Sequence, residues 1–265
     1  MQVSAIYIYP IKSLGGIALP SAKAEIKGFQ HDRRWMLVDE SGTFLTQRKY
    51  PQMALLQVTL ENDGLRISHK KNEEKSLFVA FEPQKGNVVQ VIIWDDVVGA
   101  IEVSNVANDW FTEQLGMTCK LVYMPDVTER KIKAKYAVNE ESVSFADGMP
   151  YLLIGQSSLD DLNGKLDNPV PMNRFRPNLV FTGAEAFEED QWNYLQIGAI
   201  SFKVTKPCAR CVLTTVDQAT GKKGNEPLKT LASYRLMDKK IMFGQNMICL
   251  EEGVVSVGDE IRLSH

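Results

Sequence analysis

Cys208 and Cys211 lie in the run Lys206-Pro207-Cys208-Ala209-Arg210-Cys211-Val212-Leu213-Thr214-Thr215-Val216-Asp217. A pair so spaced can belong to a metal site, a redox dithiol, or one functional thiolate beside a bystander. A structural zinc site takes four Cys or His ligands, usually as two pairs. The remaining cysteines, Cys119 and Cys249, are isolated in apolar runs, and His31, His69 and His265 are scattered. Zinc is therefore disfavoured, and Cys119 and Cys249 are expected to pack as small apolar groups. A thioredoxin-like dithiol opens a helix, whose N-terminus lowers the thiol pKa. The β-branched residues 212–216 read as strand instead, which disfavours a dithiol. The remaining reading is a single thiolate in an electropositive pocket, with Lys206 and Arg210 as flanking cations. A thiolate is a soft ligand suited to a polarizable metal.

Other segments offer cations. In Asn173-Arg174-Phe175-Arg176-Pro177-Asn178 two arginines alternate with an aromatic. An extended backbone would put both guanidinium groups on one side, and arginine holds phosphate in a planar fork. His31-Asp32-Arg33-Arg34-Trp35 and Thr46-Gln47-Arg48 add donors, and Tyr9-Pro10-Ile11-Lys12-Ser13-Leu14-Gly15-Gly16 adds a lysine, a hydroxyl and flexible backbone. Singly, each reads as a solvated face or an ion pair. With the cysteines they describe a pocket for an anionic organic cofactor with a soft metal. The P-loop pattern and the Gly-x-Gly-x-x-Gly fingerprint do not occur. No histidine sits in a context that suggests a Ser-His-Asp arrangement.

These groups must be positioned by a chain of 265 residues, enough for one large domain or two small ones. Its net charge of −3 gives no global attraction to nucleic acid or to an acidic membrane. Four cysteines are too few for a disulfide scaffold. The first residues lack a basic, then apolar, leader. Neither a signal peptide nor a membrane span is expected, and the location expected is cytoplasmic. Residues 3–9 alternate as a strand, 35–46 and 55–68 read as hairpins, and 77–81 and 88–93 continue the pattern. Ser104 caps a helix that Gly116 should stop. A second capped helix is expected from Ser157, a third over 227–234, and two short strands around a Gly-Asp turn over 254–263. Residues 125–144 read as a charged loop, mobile without ligand. The expectation is a mainly β chain with some α (α+β), with a boundary near residue 120.

The run from Cys208 to Asp217, then Thr220-Gly221, Glu226-Pro227-Leu228-Lys229-Thr230-Leu231 and Tyr234-Arg235, together resemble the MOSC domain. Tyr9-Pro10-Ile11-Lys12-Ser13 and Asp32-Arg33-Arg34-Trp35 resemble the β-barrel domain that precedes MOSC in one branch of that family, and 173–178 matches the family's Asn-Arg-Phe-Arg-Pro-Asn element. The resemblance spans nearly the whole chain. It implies an N-terminal β-barrel domain over 1–120 and a MOSC β-barrel domain with peripheral helices over 121–265.

The branch it is most similar to comprises the mitochondrial amidoxime-reducing component and its bacterial relatives. That resemblance implies a molybdenum–pterin cofactor and reduction of small N-hydroxylated compounds. The family's molybdenum ligand aligns with Cys211. Lys12, Ser13, Arg33, Asp147, Arg176, Ala209 and Arg210 match positions that contact the pterin or its phosphate, and Asn246 lies at another, where a tyrosine would be expected from the animal relative. Asp147 and Asn178 are implied to orient pterin or substrate by hydrogen bonds. Some bacterial relatives carry a ferredoxin-like domain with a cysteine cluster; these residues include none. Electrons are then expected from a separate ferredoxin-like protein, flavoprotein or cytochrome, with neither nucleic acid nor membrane as partner. The runner-up is sulfur transfer through a persulfide on Cys211; a non-catalytic cofactor carrier is the third reading.

Overall fold

The computed structural model describes residues 1–81 and 86–264; His265 lies outside them. The fold is mainly β with some α. Its largest sheet has nine strands. In spatial order these are Ile261–Ser264, Tyr194–Ile197, Ile200–Ala209, Lys240–Cys249, Tyr151–Gly155, Leu179–Thr182, Gln2–Ile8 and Ile17–Leu19, with Leu236–Met237 paired to Lys240–Cys249 off that path. All pairs are antiparallel except Tyr151–Gly155 with Leu179–Thr182. Parallel neighbours need a crossover, and the helix Gln156–Asn163 lies within it. Strands from both sides of residue 120 share this sheet. Likewise Ser21–Glu25 pairs with Gly253–Ser256.

The alternating N-terminal segments form as expected. Trp35–Val38 turns through residues 39–42 and Val38 bridges Phe44. Leu56–Leu60 pairs with Gly64–His69, which pairs with Asn72–Ala80. Lys120–Tyr123 lies between Trp35–Val38 and Asp96–Glu102, and Val88–Ile93 takes the edge. The helix Asn105–Leu115 has the expected ends. Ser104 Oγ accepts from Ala107 N at 3.1 Å, and Gly116 adopts a φ of 66°. Only a residue tolerant of the left-handed region serves there. Phe111 from this helix packs with Trp35, Leu37 and Leu121 in one core, while Val3, Ile6, Tyr151, Phe202 and Met247 pack in another.

Three local expectations are corrected. The helix at 156–163 is entered from Gly155 without a side-chain cap; Ser157 and Ser158 turn instead to Ala184 O and the Glu189 carboxylate. Val212–Thr215 is a 3-10 turn, not a strand. The Thr214 and Thr215 hydroxyls donate to the carbonyls of Cys211 and Val212 at 3.0 and 2.8 Å, a local back-bonding that overrides β-propensity. Residues 173–178 are not extended: Met172–Arg174 is a 3-10 turn and Arg176 has a φ of 55°, so the two arginines diverge. The two C-terminal strands form, Gly253–Ser256 and Ile261–Ser264, but in different sheets. Residues 125–144 form a loop holding one 3-10 turn, Ala134–Tyr136. Among the described residues no helix is long and apolar enough to cross a membrane.

Candidate functional site

Ten residues that the family resemblance implicated line one cleft: Lys12, Ser13, Arg33, Asp147, Arg176, Asn178, Ala209, Arg210, Cys211 and Asn246. The cleft encloses about 160 Å³ and opens to solvent at its mouth. Three of these residues, Ser13, Arg33 and Arg176, have φ values of 67°, 51° and 55°. Left-handed backbone is uncommon for non-glycine residues and is kept where the surroundings impose it.

The floor is a buried network. Asp32, fully buried at 0% exposure, accepts from Tyr9 N at 2.7 Å, from Asn178 Nδ2 at 3.1 Å and from Arg33 Nη1. Arg33 Nη1 also donates to Asn178 Oδ1 at 2.9 Å, and Nη2 to Arg176 O at 3.2 Å. Asn178 Oδ1 takes a further bond from Leu152 N, and its Nδ2 also reaches Tyr7 O. Both ends of the Asn178 amide are thus occupied by protein, and the residue braces Arg33. The Arg33 and Arg176 guanidinium groups both lie over the Tyr9 ring, 4.4 and 4.1 Å from its centre. Burial lowers Arg176 to about 10, so it stays charged at neutral pH. Arg176 Nη1 donates to Leu14 O at 2.6 Å.

Lys12 enters from the N-terminal segment. Its Nζ donates to Phe145 O at 2.7 Å and Asp147 Oδ1 at 2.5 Å. Burial lowers this ammonium to about 8, against the pull of Asp147. The Asp147 side chain is 56% exposed at the mouth yet enclosed by charge. Its surroundings' desolvation raises the carboxyl, but Lys12, Arg48 and Trp94 outweigh it and hold it well below the usual range. Arg130, buried, donates to the carbonyls of Ser144, Ala146 and Asp147 and so fixes this stretch.

The wall carries the cysteines. Cys208 and Ala209 end the strand Ile200–Ala209, and Cys211 precedes the Val212–Thr215 turn. The cation facing Cys211 is Arg48, whose Nη1 lies 3.9 Å from Sγ and 3.7 Å from Asp147 Oδ2. Arg210 Nη1 is 3.0 Å from Cys208 Sγ instead, and Nη2 donates to Phe175 O. Lys206 points away, over the Tyr136 ring at 4.5 Å. Flanking positions in sequence therefore do not say which cation meets which sulfur. Asn246 Nδ2 donates to the carbonyls of Lys206 and Pro207 at 3.4 and 3.3 Å, pinning the strand before the cysteines. Arg174, expected beside Arg176, lies behind this wall, donating to Thr214 O at 2.9 Å and Asp217 Oδ2 at 3.1 Å. It bolts the 3-10 turn in place.

Arg48, Trp94 and Arg130 go beyond the residues that sequence reasoning selected. In the sequence Arg48 reads only as one donor among several. Trp94, at a φ of 57° between Val88–Ile93 and Asp96–Glu102, donates Nε1 to Asp147 Oδ1 at 3.3 Å and lies 4.2 Å from the Arg48 guanidinium. A large exposed aromatic at a hairpin tip was the available signal. Arg130 gave none, since a buried arginine reads like any loop charge. Cys119 and Cys249 are buried, and burial pushes both thiols up to about 11. Among the described residues no three His, Cys, Asp or Glu side chains converge as a metal cluster.

The cleft fits an anionic organic group carrying a soft metal. Lys12, Arg33, Arg48, Arg176 and Arg210 outnumber the one carboxylate lining it, Asp147, and a thiol faces the same space. Arg210 Nε is buried without a partner. Comparison with known proteins agrees with the chemistry. Residues 1–118 match the MOSC N-terminal beta barrel domain and residues 140–262 the MOSC domain. The chain is 33% identical to mitochondrial amidoxime-reducing component 1 of Mus musculus, over 98% of this chain and 82% of that protein. It is 34% identical to mitochondrial amidoxime reducing component 2 of Rattus norvegicus and 30% identical to component 1 of Homo sapiens, with the same coverage of both chains.

Proposed function

Because the chain belongs to the MOSC family, with amidoxime-reducing components among its relatives over nearly full length, we propose that it is a molybdenum-cofactor oxidoreductase that reduces small N-hydroxylated compounds with electrons from a separate protein. The observation that carries this reading is the meeting, in one cleft, of Cys211 with Lys12, Arg33, Arg48, Arg176 and Arg210. The bound cofactor supplies two-electron redox chemistry at a metal held by the Cys211 thiolate. Lys12, charged at neutral pH with a value of about 8, and Arg176 hold the pterin's phosphate. Ser13 and Ala209 line the space it fills. Arg33, immobilised by Asp32 and Asn178, supports that end without moving. Arg210 lines the space the pterin system fills and adds positive charge there. Asp147 stays ionised and accepts hydrogen bonds at the mouth, while Arg48 stabilises negative charge at the sulfur. Asn246 orients the cysteine strand. In this reading residues 1–120 and 121–265 are the two domains whose junction the cleft occupies.

Molybdenum content and N-hydroxylamine reduction, measured on the protein and on Cys211→Ser, test the reading. We expect one metal per chain and turnover in the native protein, and loss of both in the variant with its melting temperature kept. A persulfide on Cys211 without molybdenum would replace reduction by sulfur transfer; bound cofactor without turnover would make the protein a carrier.

A further inference from the structure

The 3-10 turn after Cys211 is covered from outside by a basic segment. Residues 222–240 carry Lys222, Lys223, Lys229, Arg235, Lys239 and Lys240 against Glu226 and Asp238, in a chain whose net charge is −3. The segment is fastened to the cysteine wall. Gly224 N donates to Thr215 O at 3.1 Å, Asp217 N to Lys222 O at 2.8 Å and Arg210 N to Ile241 O at 2.7 Å. Lys223 Nζ reaches the carbonyl of Arg48, the residue that faces Cys211, at 2.6 Å. Arg235 is paired with Asp190. Lys222, Lys229, Lys239 and Lys240 are exposed and have no acidic partner among the described residues.

The same face carries apolar surface. The helix Leu228–Tyr234 packs on both the Val212–Thr215 turn and the strand Leu236–Met237. These leave Val212, Leu236 and Met237 exposed by 50%, 56% and 51%. Asp238 and Lys239, at φ values of 48° and 62°, form a tight hairpin turn that holds the last two lysines outward. Exposed apolar groups beside lysines that outnumber the neighbouring carboxylates are the make-up of a transient docking surface. The mouth of the cleft differs: there Asp147 neutralises Lys12 and Arg48, which leaves it to the substrate.

Resting on the reductase reading, we propose that this lysine-rimmed face docks an acidic electron-transfer protein, which delivers electrons through the Cys211 turn. Each reduced carrier gives up one electron. Two such electrons and two protons convert an N–OH group to N–H and water, and two oxidised carriers leave. The turn that follows Cys211, backed by Arg174, packs against the helix Leu228–Tyr234 of this face. Long-range attraction between unlike charges raises the encounter rate and weakens with salt.

The test uses the cofactor-loaded full chain and the triple variant Lys229→Glu, Lys239→Glu, Lys240→Glu, none of which lines the cleft. N-hydroxylamine reduction is driven by reduced methyl viologen or by a reduced acidic [2Fe–2S] ferredoxin. With ferredoxin we expect kcat/KM to fall on the order of tenfold or more at low ionic strength, the gap closing as salt is raised. With viologen the variant should match the native protein, which also reports an intact fold. Equal ferredoxin rates in both proteins overturn the proposal. So does an equal loss with both reductants, or a native protein that accepts electrons from viologen but not from ferredoxin. Failure of the native protein with viologen overturns the reductase reading itself, and the proposal with it.

Discussion

The floor of the cleft and its cysteine wall are built differently. On the floor, Asp32 and Asn178 are buried, Arg33 is largely so, and the three are bonded to one another and to the Tyr9 N–H; both ends of the Asn178 amide have protein partners, and the Tyr9 hydroxyl is the exception without one. On the wall, Cys211 is half-buried with one distant contact, Arg48 at 3.9 Å, and Arg210 retains a buried donor with no partner. A satisfied network holds geometry. Unsatisfied groups hold reactivity, because a ligand can still improve their situation. The difference separates residues that fix the site from residues that act in it.

The sharpest break of this contrast is to cut the floor. Asp32→Ala would leave the buried Tyr9 amide N–H without its acceptor and the largely buried Arg33 guanidinium without its only carboxylate partner among the described residues. Removing one partner of a buried pair costs about 3–5 kcal/mol, readable as a lower urea midpoint. Cys211→Ser, by contrast, should abolish reduction with a midpoint within about 0.5 kcal/mol of the native protein. Equal destabilisation by both would erase the distinction between floor and wall.

Lys12 lies between the two regions and gives a smaller effect with two signs. Its value falls from the ordinary 10.5 to about 8 through burial. Between those values the unfolded chain holds a proton that the folded chain has released. Lys12 therefore makes stability rise with pH through that window, while the cleft loses a positive charge. Phosphate-bearing ligand should be retained up to about pH 8 and lost beyond it, by at most about tenfold per pH unit. Lys12→Met should remove this step, as binding titrations across pH would record. At acid pH Asp147 gives a slope of the same sign, stability rising with pH. Its depressed carboxyl contributes stability above the ordinary value of 3.8, and that contribution is lost as pH falls through lower values.

The mildest test compares cysteines. Burial holds Cys119 and Cys249 near 11, so the thiolate is scarce at pH 8. Cys208 and Cys211 open onto the cleft. Brief iodoacetamide treatment of cofactor-free protein at pH 8 should label these two and spare the others, as peptide mass mapping would register. Labelling of Cys119 or Cys249 first would contradict the packing role given to them.

Much of the fold was legible where local signals agreed. Alternation with turn residues marked the hairpins of residues 35–46 and 55–68, and Ser104 with Gly116 bounded a helix. Reading failed where a side chain bonded its own backbone. The threonines of 212–215 look β-forming, yet their hydroxyls close a 3-10 turn. It failed again at Asn173-Arg174-Phe175-Arg176, where alternation implies a common side only if the backbone is extended, and the φ of 55° at Arg176 breaks that condition. Arg174 and Arg176 consequently serve opposite sides of the cysteine wall.

By itself the amino-acid sequence determined the residue types available, the local periodicity and the family, because motif chemistry and hydrophobic spacing are written along the chain. Which charge meets which sulfur was decided only in three dimensions. Arg48 reaches Cys211 across 163 positions while the adjacent Arg210 turns to Cys208. Electrostatic partnership falls off with distance through space, and neighbouring residues on a bending strand end need not point the same way.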